Sequence, residues 1–337
     1  MKKNRLGVAV VGLGVGEQHA HTYAAIDQCE LVWLYDLDTN KSAHLSKELR
    51  AGAVANSFEQ ILHDPTVQIV SIASYDDDHF EQVVAALNAG KHVFVEKPLC
   101  RTHDEVITIK QAWAKHDGRL KLSTNLVLRA APMYRWLKQE YDAGHLGKAY
   151  AFDGDYLYGR LEKITQGWRK DVDDYSVMLG GGVHLIDLML WITSELPRQI
   201  SAVGNRICTT GTDFRFQDYV TAMMQFRSGL VGRITANFGC VHQHQHVIRL
   251  FGTKATFLYD DAGARLHISR DPSAPSEPIS FSPLPKSKGD LIPPFVSAIL
   301  NEENLDQHTQ TMFDVISVCV ACDQATQSGQ TVEVQYT

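Results

Sequence analysis

No uninterrupted apolar stretch of the chain reaches the ~18 residues that a membrane-spanning helix requires. No small-residue cleavage site follows the short apolar run near residue 10 either. Neither a membrane protein nor an exported one is therefore expected. An excess of basic charge is also missing. Among 337 residues, 32 Lys and Arg stand against 39 Asp and Glu, a formal charge of −7, so no nucleic-acid footprint is expected. Cysteine is scarce: six (Cys29, Cys100, Cys208, Cys240, Cys319, Cys322) are too few in so long a chain for a disulfide framework. Proline is sparse except between residues 271 and 294, which hold seven of the eleven and read as a long loop. With 44% hydrophobic and 21% charged residues, the profile is that of a globular, cytoplasmic protein whose length suggests two domains. Fifteen histidines are the one surplus, and composition does not say whether they mean metal, catalysis or nothing.

The first hundred residues alternate strand and helix. Short apolar runs at 6–11, 30–35, 67–74 and 91–96 have the unbroken hydrophobicity of strands buried on both faces. Helical stretches near 17–27, 40–50, 58–62 and 79–89 separate them, the last closed by Gly90 as a C-cap. Repeated β-α-β order implies a parallel, doubly wound sheet. After about residue 124 the pattern changes. Helices are expected at 130–143 and 176–192, with a strand near 148–158 between them. Five longer, partly alternating strands follow with turn signals between them, which suggests an antiparallel or mixed sheet. Helices at about 291–301 and 308–328 close the chain.

The first strand runs into Gly12-Leu13-Gly14-Val15-Gly16 and then a helix. In the dinucleotide fingerprint the first glycine permits a tight turn and the second lets the backbone approach a pyrophosphate, which the helix N-terminus then meets. Asp36 ends the second strand, 24 positions after Gly12, where an acid accepts hydrogen bonds from ribose hydroxyls. That acid favours NAD over NADP, whose 2′-phosphate would face a negative charge. Glu17 occupies the strict third-glycine position and Gly16 comes one place early, so the loop is expected to depart from the standard geometry. Ligands of doubly wound sheets sit at the carboxyl ends of the strands, where Asp36, Ser74, Glu96 and Lys97 fall.

Glu96-Lys97-Pro98 at the end of the 91–96 strand, the glycine loop, His79 in DDHFEQV and the GGVHLIDL around His184 together resemble the Gfo/Idh/MocA family of glucose–fructose oxidoreductase and inositol dehydrogenase. The resemblance implies an α/β protein. An N-terminal Rossmann domain (1–124) would precede a C-terminal α+β domain (125–337) built on an open, mostly antiparallel sheet that commonly makes homodimers or homotetramers. It also implies NAD(P)-dependent oxidation or reduction of a polyhydroxy small molecule: a sugar, cyclitol or sugar nucleotide. Lys97 would polarise the substrate oxygen and His184 would take its proton, with Asp187 one helical turn beyond. Leu13, His79 and Asn125 join the glycines, Asp36, Ser74, Glu96 and Lys97 as cofactor candidates, and His19 lies at a family-typical place near the cofactor. Arg129, Tyr156, Tyr158, Arg160, Trp168 and Arg169 are substrate candidates, suited to a polyhydroxy or anionic ligand.

One departure stands out. Many members carry an aspartate four residues before this histidine, where this chain has Gly180 within Gly180-Gly181-Gly182. Three readings follow: space for a bulky substrate, catalysis by Lys97 and His184 alone, or lost activity. The alternatives to a dehydrogenase are accordingly a silent dinucleotide-binding regulator or an enzyme that recycles bound NAD internally. His242, His244 and His246 alternate along an expected strand. A metal is not expected there, because no carboxylate or thiolate is interleaved on that face. Cys319-x-x-Cys322, inside an expected helix, reads as two buried thiols.

Overall fold

The computed structural model describes residues 5–337, which form two compact units. The first comprises the described residues through Ala130 together with Pro285–Phe313 and Thr337; the second comprises Ala131–Leu284 and Asp314–Tyr336.

In the first unit, strands β1 (Leu6–Val11), β2 (Cys29–Tyr35), β3 (Ala53–Val54), β4 (Val67–Ile72), β5 (His92–Val95) and β6 (Leu122–Thr124) form one sheet in the order β3-β2-β1-β4-β5-β6. Every pairing is parallel. The crossovers are α1 (Gly16–Ala24), α2 (Thr39–Leu49), α3 (Phe58–His63), α4 (His79–Asn88) and α5 (His103–Ala114). Val8, Val10, Ile69, Val70, Val93 and Phe94 are wholly buried, as strands covered on both faces require. Helix starts are locally encoded: Asp38 and Ser57 cap α2 and α3, and Thr102 with Glu105 makes a capping box on α5. Because all strands run the same way, their carboxyl ends share one edge, and chain order reverses between β1 and β4. Ligand crevices of such sheets open there.

The second unit is built on nine strands. After α6 (Pro132–Asp142) come β7 (Ala149–Leu157), α7 (Glu162–Thr165), a π-turn (Met178–Gly182) and α8 (Val183–Thr193). Then follow β8 (Pro197–Asn205), β9 (Tyr219–Phe226), β10 (Val231–Asn237), β11 (Gln245–Gly252), β12 (Thr256–Asp260), β13 (Gly263–His267) and β14 (Glu277–Ile279). The sheet order is β14-β13-β12-β11-β7-β10-β9-β8, with β15 (Val332–Glu333) at the far edge. It is antiparallel except where β7 and β10 run parallel. Alternation along β7 divides the two faces. Phe152, Gly154 and Tyr156 are on the α8 side, while Asp153 and Asp155 turn to the other side and pair with Arg233.

Two features differ from the sequence expectation. The 271–294 stretch is not loop throughout: it contains β14, and Pro293 and Pro294 lie in the first turn of α9 (Ile292–Leu300), where a missing N–H costs nothing. Moreover α9 belongs to the first unit. Its Ile292, Phe295, Val296 and Ile299 join Val8, Val10, Tyr23 and Phe94 in one core, and this packing draws residues 285–313 away from the rest of the C-terminal half. The last helix, α10 (Asp306–Ser328), is where sequence periodicity places it, within two residues. Among the described residues, no helix is long and apolar enough to cross a membrane.

Candidate functional site

The candidate residues fall into two groups, one in each unit. In the first unit the glycine loop is shaped by close approach. Gly12 adopts φ +79°, and a Cβ there would stand 2.5 Å from the Ala73 carbonyl and the Ser74 nitrogen. Gly16 lets α1 lie against Ala73 and Val10, each 3.2 Å from where its Cβ would be. It therefore does the helix-packing work of the third glycine one place early, and Glu17 is left exposed on the first turn. At Gly14 a Cβ would meet nothing within 4 Å. That open volume beside an uncapped helix start fits an incoming pyrophosphate.

Asp36, at the end of β2, holds this loop. Its Oδ2 accepts the Leu13 N–H at 2.6 Å and its Oδ1 accepts the Asp38 N–H at 2.9 Å. Lys41 stands 3.8 Å away. Ser74, after β4, donates to Gln82 at 2.7 Å. His79 is wholly buried, with Nδ1 donating to Pro98 O at 2.6 Å and Nε2 3.3 Å from Ser74 O. It thereby ties the segments that follow β4 and β5 to one another.

Glu96 is the best-anchored group. Its Oε1 accepts from Asn125 Nδ2 at 2.6 Å and from His19 Nε2 at 3.2 Å, while His19 Nδ1 lies 3.0 Å from Ser71 Oγ. Burial alone would raise the Glu96 carboxyl; its hydrogen bonds to His19 and Asn125 and the charge of Lys97 outweigh that and hold it down to about 2. Asn125 Nδ2 also reaches Lys288 O at 2.8 Å. Its buried Oδ1 has no partner among the described residues, leaving an acceptor for a ligand's N–H. Arg129 is buried and donates to Thr311 at 3.2 Å.

In the second unit, β7 and α8 assemble rings around His184. Tyr156 stacks on Tyr158 (centroids 5.9 Å apart) and on His184 (6.2 Å). His244 and His246 meet Tyr156 edge-on at 5.1 and 5.2 Å, and His246 lies 5.8 Å from His184. His242 leaves this group to pair with Asp261 at 3.2 Å, because β11 begins only at Gln245. Burial pushes the Tyr156 hydroxyl well up. Asp187 is buried one turn beyond His184. Arg169 lies over Trp168 and donates to the Tyr175 hydroxyl at 3.0 Å, and Arg160 lies over Tyr158.

The triple glycine has a packing reason. A Cβ at Gly180 would coincide with the Tyr175 hydroxyl, one at Gly181 with the Tyr156 ring, and one at Gly182 would crowd the Met178 sulfur at 2.6 Å. The space is thus filled by the protein's own side chains and is not left for a bulky substrate. Tyr175, His244 and His246 were not among the sequence candidates. Only the strand alternation of the two histidines could have signalled them.

The family model for the oxidoreductase family with an NAD-binding Rossmann fold matches residues 6–124, and that for the GFO/IDH/MocA C-terminal domain matches residues 134–258. The chain belongs to the GFO/IDH/MocA family. Among curated members it is similar to inositol 2-dehydrogenase 2 of Saccharopolyspora erythraea (26% identity over 56% of this chain and 54% of that one). It is also similar to 1,5-anhydro-D-fructose reductase of Ensifer adhaerens (28%, over 60% of each). The matches thus span between half and two thirds of these relatives' length. In fold it matches the Lactobacillus casei scyllo-inositol dehydrogenase solved with NAD(H) and scyllo-inositol, at TM-score 0.81 and 21% identity over 98% of this chain and 99% of that one.

A partly buried acid in this GFO/IDH/MocA member carries a testable pH dependence. Asp323 on α10 accepts from Ser176 at 2.8 Å, and Ser176 Oγ in turn caps the N–H groups of Met178 and Leu179. Burial pushes the Asp323 carboxyl up to about 7, against the Ser176 hydrogen bond and with the help of Asp174. Between the unfolded value and about 7 the folded state binds the extra proton, so stability falls as pH rises through that window. Asp323→Asn is expected to raise Tm by several degrees at pH 8. The gain should shrink steadily towards pH 4; an equal gain at both pH values would refute the assignment.

Proposed function

We propose that the protein moves a hydride between a nicotinamide dinucleotide and a hydroxyl or keto carbon of a sugar, cyclitol or sugar-nucleotide derivative. What carries this reading is one edge of the parallel sheet, where the Gly12–Gly16 loop, Asp36 and Glu96-Lys97 follow β1, β2 and β5 and the volume at Gly14 stays open. Those residues fit NAD. When bound, the dinucleotide supplies the hydride acceptor or donor. Gly14 and Gly16 offer loop and helix N–H groups to the phosphates, while Gly12 and Leu13, whose own N–H groups are taken by Tyr35 and Asp36, shape the turn that presents them. Asp36 takes the adenosine ribose, while Ser74, His79, Glu96 and Asn125 form and brace the nicotinamide side. Lys97 donates to the substrate oxygen and stabilises its negative charge as the O–H proton leaves. His184 accepts that proton on oxidation and returns it on reduction. Tyr156, Tyr158, Arg160, Trp168, Arg169, Asp187 and Arg129 shape or support recognition of the polyhydroxy substrate.

The test is a panel of cyclitols, sugars and sugar nucleotides with NAD⁺, followed at 340 nm. Turnover is the expected result. Tight NAD(H) retention with no turnover across the panel would support a silent regulator or internal recycling instead.

Asp36 makes the cofactor choice measurable. NAD⁺ is expected to be preferred to NADP⁺ by about tenfold or more, the worth of one unfavourable charge contact. Asp36→Ser should narrow that ratio. Because Asp36 also holds the Leu13 N–H, the variant should lose thermal stability too. An unchanged ratio would reject the role.

All six cysteines are free thiols, which suits a reducing cytoplasm. We also propose self-association through the sheet face away from α8, where Val203, Met223 and Val231 are exposed among charged neighbours. Light scattering of wild type against Met223→Glu tests it: a dimer or tetramer weakened by the change is expected, and a wild-type monomer would refute it.

A further inference from the structure

Strands β8, β9 and β10 lie side by side, and their register sets Asn205 and Asn237 on either side of Tyr219. Both flanking strands run antiparallel to β9, so both leave the sheet at the same edge. Each is followed within three residues by a cysteine, Cys208 after β8 and Cys240 after β10. Strands two apart in a sheet are separated by about 10 Å, beyond the reach of a disulfide, but here the two loops converge on the residue before β9. Asp218 donates its N–H to the Asn205 carbonyl at 3.1 Å, and its own carbonyl accepts the Phe238 N–H at 2.8 Å. Its Oδ2 accepts the N–H and the hydroxyl of Thr209 at 2.7 and 2.9 Å. Gly239 completes the approach. A Cβ there would stand 2.4 Å from the Cys208 Cβ and 2.6 Å from its sulfur, so the missing side chain lets Cys208 lie against the backbone that leads into Cys240. Cys208 is exposed and Cys240 partly so, whereas the other four cysteines are buried.

Asp218 is wholly buried, and its Oδ1 has no partner among the described residues. That oxygen lies 3.7 Å from the same Gly239 Cβ position. Desolvation and then the charge of Asp218 push the Cys208 thiol up, and Cys240 adds to the effect. The reduced pair is thereby held in its protonated, unreactive form.

We propose that Cys208 and Cys240 are a reversible redox pair whose disulfide clamps the β10–β11 loop, with Asp218 restraining its formation. The oxidant is a low-molecular-weight disulfide. The Cys208 sulfur gives up its proton and attacks one sulfur of the oxidant, and Cys240 then attacks the Cys208 sulfur of the mixed disulfide. Each step expels one small thiolate, which takes up one of the two protons released; two protein thiols become a disulfide and the oxidant becomes two thiols. The clamped loop carries Phe238, 5.5 and 4.6 Å from the Tyr156 and Tyr158 rings, and His244, 5.1 Å from Tyr156. The redox state therefore bears on the rings around His184.

The experiment incubates the reduced protein with glutathione disulfide and quenches with acid. An intact mass lower by two hydrogens, a Cys208–Cys240 cross-linked peptide and reversal by dithiothreitol are expected. The oxidised form should melt several degrees higher, and amide exchange across residues 238–244 should slow. Cys208→Ser and Cys240→Ser should each abolish the cross-link and the shift, and Cys240→Ser should trap one glutathione on Cys208. Asp218→Asn, which keeps an acceptor for Thr209, should speed cross-linking about threefold, the effect of lowering the attacking thiol by about one pKa unit. No cross-link, a cross-link between other cysteines, a stable glutathione adduct on the wild type, or unchanged exchange in the oxidised loop would overturn the proposal. An Asp218→Asn rate no faster than wild type would strike out the restraint. These readouts need no turnover, so they stand or fall apart from the oxidoreductase reading.

Discussion

Lys97→Ala is expected to lower kcat by about a thousandfold, the scale of removing a group that stabilises a developing oxyanion and steers proton transfer. NADH affinity should change only a few-fold. Lys97 follows a largely enclosed Glu96, held down to about 2 by its hydrogen bonds to His19 and Asn125 against the cost of its desolvation. Burying that carboxylate is costly, and its position is over-determined: His19, Asn125 and the ends of β4, β5 and β6 all bear on it. The fold should therefore survive loss of the lysine, because His19 and Asn125 still satisfy Glu96, and melting temperatures of variant and wild type will show whether it does. Lys97→Arg would keep the charge without the compact ammonium, so it should recover little of the rate. A kcat for Lys97→Ala within tenfold of wild type would remove Lys97 from the chemistry. His184→Ala is expected to be comparably damaging, and the pair of variants separates loss of oxyanion stabilisation from loss of the proton acceptor.

The second large effect contrasts two glycines only two residues apart. At Gly14 nothing of the protein lies within 4 Å of a Cβ, so Gly14→Val should fold with little loss of stability. The valine would occupy the volume beside the backbone that has to approach the pyrophosphate, and NAD affinity is expected to fall about a hundredfold, roughly 2.7 kcal/mol. Gly12→Ala reverses the balance. With φ at +79° and a Cβ 2.5 Å from the Ala73 carbonyl, the substitution strains the backbone and drives the loop off β4. A cost of at least ~2 kcal/mol in stability follows from the left-handed conformation and the clash together. Thermal melts and NADH fluorescence titrations on both variants decide it. Equal stability losses, or a Gly14→Val variant that binds normally, would show that the loop does not meet the cofactor as proposed.

The first unit was largely legible because its information is local. Buried parallel strands are short unbroken apolar runs, their helices begin at caps such as Thr102 with Glu105, and a ligand edge follows from parallel direction alone. Glu17 looked like a defect in the glycine pattern; packing of Gly16 on Ala73 shows why it is not one. Membership of α9 in that unit was not legible. Its IPPFVSAIL sequence announces a helix, but which core receives Phe295 depends on shape complementarity with Tyr23 and Phe94, residues far earlier in the chain.

In the second unit the sequence by itself determined the strands, the α8 histidine and the glycine run before it, because periodicity and residue type act over a few neighbours. Only the tertiary structure decided what those residues stand beside. The antiparallel register of β11 on β7 sets His246 opposite Tyr156, and a slip of one residue would have turned that imidazole to the other face. The same holds at Gly180, where the missing side chain turned out to be replaced by the hydroxyl of Tyr175. Such an exchange leaves no local trace, since the volume is supplied by a bend of the chain and the partner, Arg169, by the turn before it.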